Sequence, residues 1–260
     1  MKLPCLSLFW CCLAAVTGIY ALFLLGMLAA TALYTTPPHI LQALRSREIQ
    51  HAIQLSLLTS SVSALLSLLI AVPSGYLLSR TNFPGKSSLE ALLDIPIVLP
   101  PMVLGLSLLI FFQTAFGQFI ERFLPLTYTV SGVILAQLLI GTAFAIRTMR
   151  GTFDLISERP ESVALTLGCS KAQAFWLITL PSARRGMFAA ASLAWARSLG
   201  EFGPILVFAG ATRMKTEVLP TTVWLELSSG NLEAAVSVSV LMVLFAVLVL
   251  VSIRRFGERI

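Results

Sequence analysis

Stretches of about 20 mainly apolar residues recur along this chain between short polar breaks, and that is the length an α-helix needs to cross a bilayer. Hydrophobic residues make up 57% of the chain and charged residues only 12%, whereas roughly 25% of the residues of a soluble domain are charged. Lipid offers no hydrogen-bond partner to an exposed backbone, so runs of this length must form helices. The chain is therefore predicted to be an all-α integral membrane protein.

Six transmembrane helices are predicted from these runs. They cover residues 13–34, 53–78, 91–112, 127–146, 187–209 and 234–253. The fifth contains two charged residues, Arg197 and Glu201. An alternative for the start of the chain is a signal peptide, but its apolar region is longer than the 7–15 residues, or about that, of a signal sequence. An uncleaved first span is therefore favoured.

The distribution of Lys and Arg predicts the orientation, because cytoplasmic loops carry the excess of these residues. With the N-terminus inside, 12 of the 18 fall in inner segments and 5 in outer segments, and Arg197 lies in the membrane. Both termini are therefore predicted to be cytoplasmic. The net charge of +6 is explained by contact with anionic lipid, so the bilayer is the expected partner and nucleic acid is not.

No pattern in the chain indicates catalysis or metal binding. The four cysteines lack the spacing of a disulfide framework or a zinc site, and the two histidines share one predicted outer loop without further ligands. Gly85, Lys86 and Ser87 match the last three positions of a P-loop, but Arg80 occupies the position where that motif requires glycine. The chain is predicted to bind no metal and no cofactor, and not to be an enzyme.

The longest polar stretch lies between the fourth and fifth spans and is called here the 150–186 loop. It is predicted to form two short helices. Ser157 is placed to cap the first, and Gly168 to end it in the left-handed conformation. Ser170 and Gln173 form a capping-box pattern that starts the second helix, which Pro181 is predicted to stop.

These two helices would expose more apolar surface than a loop in water should. Either the membrane surface or a soluble partner is expected to cover it. The side chains concerned are Val163, Ala164, Leu167, Phe175, Trp176 and Leu180.

The stretch "ESVALTLGCSKAQAFWLITLP" resembles the cytoplasmic EAA loop of ABC transporter permeases. The pattern of that loop is Glu-Ala-Ala, three residues, Gly, nine residues, then Ile-x-Leu-Pro. Four positions match at the required spacing: Gly168, Ile178, Leu180 and Pro181. The Glu-Ala-Ala positions hold Ser162, Val163 and Ala164, so only the last alanine is retained, and Glu161 lies one position early.

The resemblance extends over roughly residues 53–254 and implies the type I ABC importer permease fold, with six transmembrane helices and a coupling helix in the 150–186 loop. By this division, residues 1–52 hold the first transmembrane helix and an outer loop, and residues 255–260 form a cytoplasmic tail. The family also implies partners in a prokaryotic inner membrane. These are two ATPase subunits that bind ATP and Mg²⁺, a second copy of the chain, and an extracytoplasmic substrate-binding protein.

Two further segments look most like molybdate, tungstate and sulfate importers. They are "ARSLGEFGPILVFAG", residues 196–210, and "LPTTVWLELSSGNLEAAVSVSVL", residues 219–241. The resemblance implies an oxyanion substrate, with molybdate placed first and tungstate or sulfate as alternatives. Polyamine, ferric-iron and thiosulfate permeases share much of the pattern and stay open. A secondary transporter or channel is the alternative from another class.

Candidate pathway residues lie at the irregular points of the spans. Arg197 and Glu201 are four residues apart on one helix face, which predicts an internal ion pair or a role in a pathway or gate. Gly200, Gly203 and Pro204 would loosen the helix just beyond this pair, which makes a gate near the outer half of the membrane a hypothesis. Pro100 and Pro101 predict a kink in the third span, with a gate role as the second hypothesis. Serines at helical spacing in the second span indicate close helix packing rather than a polar wall: Ser56, Ser60, Ser63, Ser67 and Ser74.

Overall fold

The computed structural model describes residues 8–257, which form helices joined by turns, without a β-strand in that part of the chain. In chain order the α-helices are α1 Leu8–Tyr34, α2 Pro37–Arg45, α3 Arg47–Arg80, α4 Lys86–Val98, α5 Pro101–Gln113, α6 Ala115–Phe123, α7 Val130–Leu155, α8 Arg159–Thr166, α9 Lys171–Ala174, α10 Leu180–Ser182, α11 Arg184–Leu199, α12 Leu219–Ser228 and α13 Leu232–Gly257. Two π-helical turns, Phe175–Thr179 and Ile205–Ala209, lie before α10 and after α11.

Four helices of the described residues are long and apolar enough to cross a membrane as single helices. They are α1, α3, α7 and α13, and they correspond to the first, second, fourth and sixth predicted spans. The predicted boundary at residues 52 and 53 falls inside α3, which begins at Arg47. Of the predicted tail, residues 258–260 lie outside the described residues.

The third predicted span, residues 91–112, is wrong as a continuous helix. α4 and α5 meet at a break with an angle of 111° between them, so that the pair is a broken span or a re-entrant loop. Two consecutive prolines, Pro100 and Pro101, remove two amide donors and disfavour helical backbone before them. The expected kink is therefore a complete break.

The fifth predicted span, residues 187–209, is also interrupted. α11 ends at Leu199, and the backbone leaves the helix before a π-helical turn that ends at Gly210, where φ is 72°. Gly200, Gly203 and Pro204 favour this break, because glycine weakens a helix and proline cannot continue it. All six apolar segments are present, but only four are unbroken spanning helices in the described part of the chain, or five if α4 and α5 count as one.

The centre of the bundle is the packing of α3 against α7 and α11, and the serines of α3 face this contact. Ser63 Oγ lies 3.2 Å from Ser198 Oγ on α11, and Thr142 on α7 donates to Ser67 Oγ at 3.1 Å. Ser56, Ser60, Ser63 and Ser67 are each at most 1% exposed. The prediction that this stripe serves helix packing is confirmed for Ser63 and Ser67, whereas Ser56 accepts a hydrogen bond from Leu219 N on α12 and Ser74 is only half-buried.

Candidate functional site

The 150–186 loop folds as a helix, a glycine turn and a second helix. Gly168 has a φ of 92°, and Cys169 N donates to Ala164 O at 3.0 Å, which completes a helix C-cap. Ser170 and Gln173 form the capping box: Gln173 N donates to Ser170 Oγ at 3.2 Å, and Ser170 N donates to Gln173 Oε1 at 2.8 Å. The predicted C-cap and capping box are both confirmed.

Two predicted details of this loop are wrong. The N-cap position of the first helix is Glu158, whose side chain makes no capping hydrogen bond, and Ser157 Oγ only accepts a long bond of 3.4 Å from Arg159 N. Pro181 does not stop the second helix, because the chain stays helical through the π turn and α10, and α11 follows at Arg184. The π turn widens the helix, and Pro181 then falls in the first turn of α10. The absence of an amide hydrogen on proline costs no hydrogen bond at that position.

Glu161 faces the helical bundle. The Tyr76 hydroxyl donates to Glu161 Oε1, and Thr179 Oγ1 donates to Oε2 at 3.0 Å. Arg80 Nε lies 3.9 Å from the same Oε2, and Arg80 Nη2 donates to the carbonyl of Ile156 at 2.7 Å. The Glu161 side chain is 15% exposed. Through this carboxylate the ends of α3 and α7 are joined to both helices of the loop.

The sequence interpretation missed Tyr76 and Arg80. The Tyr76 ring lies between two aromatic rings, with centroid distances of 4.6 Å to Phe175 and 5.5 Å to Phe153. The available signal was their spacing of four residues at the polar end of an apolar run, which places both on one helix face. Their partner could not be read from that spacing, because Glu161 lies 85 residues further along the chain.

The solvent side of the loop carries an apolar loop face, defined here as Val163, Leu167, Trp176 and Leu177. Their exposed fractions are 56%, 80%, 65% and 70%. The predicted exposure of Val163, Leu167 and Trp176 is confirmed, whereas Ala164 is buried and Phe175 and Leu180 are half-buried. Leu177 was missed. Of the other EAA-loop positions, Ser162, Gly168 and Pro181 are exposed and Ile178 is half-buried.

The breaks in the third and fifth predicted spans meet each other, at a place called here the glycine–proline crossing. A Cβ on Gly105 would lie 2.7 Å from Pro204 Cα, and a Cβ on Gly203 would lie 2.9 Å from Met102 N and 3.1 Å from Pro101 Cβ. Pro100 lies at the same break as the residue that caps α5. Only glycine allows the two backbones to approach this closely.

Arg197 and Glu201 form an ion pair, with Nη2 3.4 Å from Oε2. Glu201 is 3% exposed, but the Arg197 side chain is 39% exposed, and its guanidinium lies 5.2 Å from the ring centroid of Phe144. A charged group exposed at membrane depth requires water or another subunit beside it. The ion pair therefore explains how the charge of Glu201 is buried, but it does not explain why the Arg197 side chain is partly exposed.

A polar cavity of about 570 Å³ lies at the end of the bundle opposite the 150–186 loop. Arg213 pairs there with Glu48 and, at 2.8 Å, with Glu226. Burial acts to lower the pKa of Arg213, but the bond to Glu226 and the attraction of both carboxylates outweigh it, so the pKa is raised. The guanidinium is fixed as a cation and holds the start of α3 against α12.

The sequence is similar to components of transport systems. The family described as "Binding-protein-dependent transport system inner membrane component" matches residues 71–260. The molybdate/tungstate transport system permease protein WtpB of Pyrococcus abyssi is 40% identical over 172 residues, which are 66% of this chain and 62% of that protein. The molybdenum transport system permease protein ModB of Mycobacterium tuberculosis is 32% identical over 94% of this chain and 92% of its own length.

A sulfate permease and two solved structures are also similar. The sulfate transport system permease protein CysT of Salmonella typhimurium is 31% identical over 82% of this chain and 79% of its own length. A bacterial alginate ABC transporter, solved with an alginate pentasaccharide-bound periplasmic protein, has a TM-score of 0.76 at 15% identity and covers 97% of this chain and 94% of its own. The MetNI methionine ABC transporter has a TM-score of 0.66 at 19% identity, and the match covers 86% of this chain and 99% of that chain.

Proposed function

The chain belongs to the family of binding-protein-dependent transport system inner membrane components, and on that premise we propose that it imports an oxyanion, molybdate first and tungstate or sulfate as alternatives. Its fold is that of the type I ABC importer permeases, and it is a transport component rather than a catalyst. The observation that carries the substrate proposal is the similarity to ModB over 94% of the chain. The match to WtpB spans 62% of that relative.

The alternative substrates and classes have less support. Polyamine, ferric iron and thiosulfate were left open by the sequence pattern, and the relatives described above are named for molybdate, tungstate or sulfate. A secondary transporter or channel would need no ATPase. Membership of a binding-protein-dependent family favours the ATP-driven class.

The apolar loop face is the proposed docking site for a separate ATPase subunit that binds ATP and Mg²⁺. The four side chains of this face are more than half exposed, and an apolar surface of this kind marks a site where a partner binds. We propose that two ATPase subunits serve two copies of this chain. The loop and both termini would then lie in the cytoplasm, in agreement with the excess of Lys and Arg in those segments.

The opposite end of the bundle would then face outward and receive a substrate-binding protein. The polar cavity near Arg213 lies on this end, and the start of α3 there is held in place by the bond between Arg213 and Glu48. Alternating access would follow: the outer face accepts the anion, and the ATPase pair drives the exchange between a state open to the outside and a state open to the cytoplasm. The glycine–proline crossing, where two broken spans touch, is the proposed gate.

Gly168→Val is expected to reduce the amount of co-purified ATPase about tenfold, while Gly168→Asn retains it. Nothing lies within 4 Å of a Cβ at this position, so a clash cannot cause the loss. The left-handed φ of 92° costs a β-branched residue roughly 1–2 kcal/mol and is tolerated by asparagine. Equal ATPase recovery with both variants would show that the glycine turn does not position the docking face.

The double variant Arg197→Met with Glu201→Met is expected to lower uptake about tenfold or more. The double change leaves no unpaired buried charge, so the effect reports on the exposed side of Arg197 rather than on a broken ion pair. Arg122→Met, which removes an exposed arginine outside the predicted spans, is the control and should transport normally. Unchanged uptake in the double variant would remove the pair from the pathway.

The proposed function is tested by ATP-dependent uptake of labelled molybdate, tungstate and sulfate into vesicles that contain the chain, its ATPase and its binding protein. Uptake of one anion with competition by the others is the expected result, and it ranks the substrates. A stable complex that takes up none of the three would contradict the oxyanion proposal and leave the family assignment intact.

A further inference from the structure

The only acidic residue next to the Glu-Ala-Ala positions does not face the proposed ATPase. Glu161 is 15% exposed and turned inward, whereas Ser162, which occupies the position of the family's glutamate, is exposed. The outward contact of the 150–186 loop is therefore made without this carboxylate. Glu161 must serve an interaction inside the chain.

That interaction joins three elements at one carboxylate, and a neighbouring arginine reaches a fourth. Glu161 lies on α8, Thr179 on the π turn and Tyr76 at the end of α3. Arg80 extends the link by its bond to Ile156 O, at the end of α7. Hydrogen bonds to an ionised group are about twice as strong as neutral ones, so this carboxylate is a strong polar connection between the loop and the bundle.

The connection is stiff because its main donor is packed on both sides. The Tyr76 ring contacts Phe153 of α7 and Phe175 of the π turn, which fixes the direction of its hydroxyl. α3, which has 34 residues in all and contains Pro73, continues from Tyr76 to the opposite end of the bundle. Along the way Ser63 bonds to Ser198, one residue from Arg197 on α11.

We propose that Glu161, held by Tyr76 and Thr179, is the positioning residue that transmits ATPase closure from the 150–186 loop to α3 and thereby to the pathway. The inference rests on the proposed function, since it assumes that an ATPase moves the loop. The carboxylate transmits the motion and does not contact substrate or nucleotide. Its removal should leave docking intact and reduce the transport obtained from each ATP.

The test compares Tyr76→Phe and Glu161→Gln with Glu158→Gln. The phenylalanine variant keeps the ring between its two neighbours and removes only the hydroxyl, so folding should be preserved. Glu158 is the matched control, because it lies on the same loop and pairs with the same Arg80 at 3.4 Å, yet is 68% exposed. Three quantities are measured: ATPase recovered with the chain, ATP hydrolysed in the presence of binding protein, and labelled molybdate taken up into vesicles.

The expected result is normal ATPase recovery and normal ATP hydrolysis in all three variants. Uptake per ATP should be about tenfold lower in Tyr76→Phe and Glu161→Gln, which is the effect expected from the loss of one charge-assisted hydrogen bond. A merely structural defect would lower all three quantities together. An unchanged ratio of uptake to hydrolysis would overturn the inference, and so would loss of the ATPase, which would make Glu161 a docking residue. If the unmodified chain bound no ATPase, the proposed function itself would fail, and this is seen before any variant is compared.

Discussion

Gly105→Ala is expected to lower stability by about 1–3 kcal/mol and to abolish most of the ATP-dependent uptake. The added Cβ would lie 2.7 Å from Pro204 Cα, and a backbone atom of a packed helix cannot move aside as a flexible side chain can. The two broken spans must separate at the glycine–proline crossing to admit the methyl group. We expect Gly203→Ala to behave similarly, because its Cβ would lie 2.9 Å from Met102 N.

The matched control is Gly151→Ala, on α7. A Cβ there has nothing within 4 Å, so alanine should be neutral or slightly stabilising, as expected for a glycine in the interior of a helix. Thermal unfolding in detergent gives the stability, and vesicle uptake of labelled molybdate gives the activity. If Gly105→Ala were as stable and as active as Gly151→Ala, the close approach of the two breaks would have no functional importance.

Trp176→Ala is expected to weaken the complex with the ATPase subunit about 30-fold or more, which corresponds to the roughly 2 kcal/mol or more of an aromatic hot spot. Trp176 is the largest side chain of the apolar loop face and is 65% exposed, although the Phe175 ring lies 5.6 Å from it, centroid to centroid. Adding Leu177→Ala should weaken the complex further. The affinity is measured with the purified chain and the purified ATPase.

Trp224→Ala is the control for this prediction. Trp224 is also exposed, at 41%, but it lies on α12, at the end of the bundle opposite the 150–186 loop. Either change removes an exposed tryptophan ring, and in the proposed orientation only Trp176 faces a cytoplasmic partner. Equal affinities for the two variants would place the ATPase contact elsewhere on the chain.

Local features of the chain could be predicted from the residues that form them. The glycine turn at Gly168 and the capping box of Ser170 and Gln173 depend on backbone preferences and side-chain hydrogen bonds within a few residues. The spans depend on the apolar content of about 20 consecutive residues. The end of the second loop helix was predicted wrongly. Pro181 was expected to end this helix, but the π turn before it allows the helix to continue.

Contacts between distant segments could not be predicted in this way. Nothing in the spacing of Tyr76 or Glu161 shows that they meet, because the bond between them depends on how α3 packs against the 150–186 loop. The crossing of Gly105 with Pro204 likewise depends on two breaks that are far apart in the chain. Each break was indicated by its prolines and glycines, but their meeting was not.

The sequence by itself therefore determined the helical class, the position of the six apolar segments and the chemistry of the loop turns, because each depends on neighbouring residues and on the solvent they must face. Tertiary structure alone decided that two of those segments break and touch, and that Glu161 faces inward. Both results follow from packing, in which a backbone approaches another wherever glycine leaves room and a half-buried carboxylate turns to the donors that replace its water.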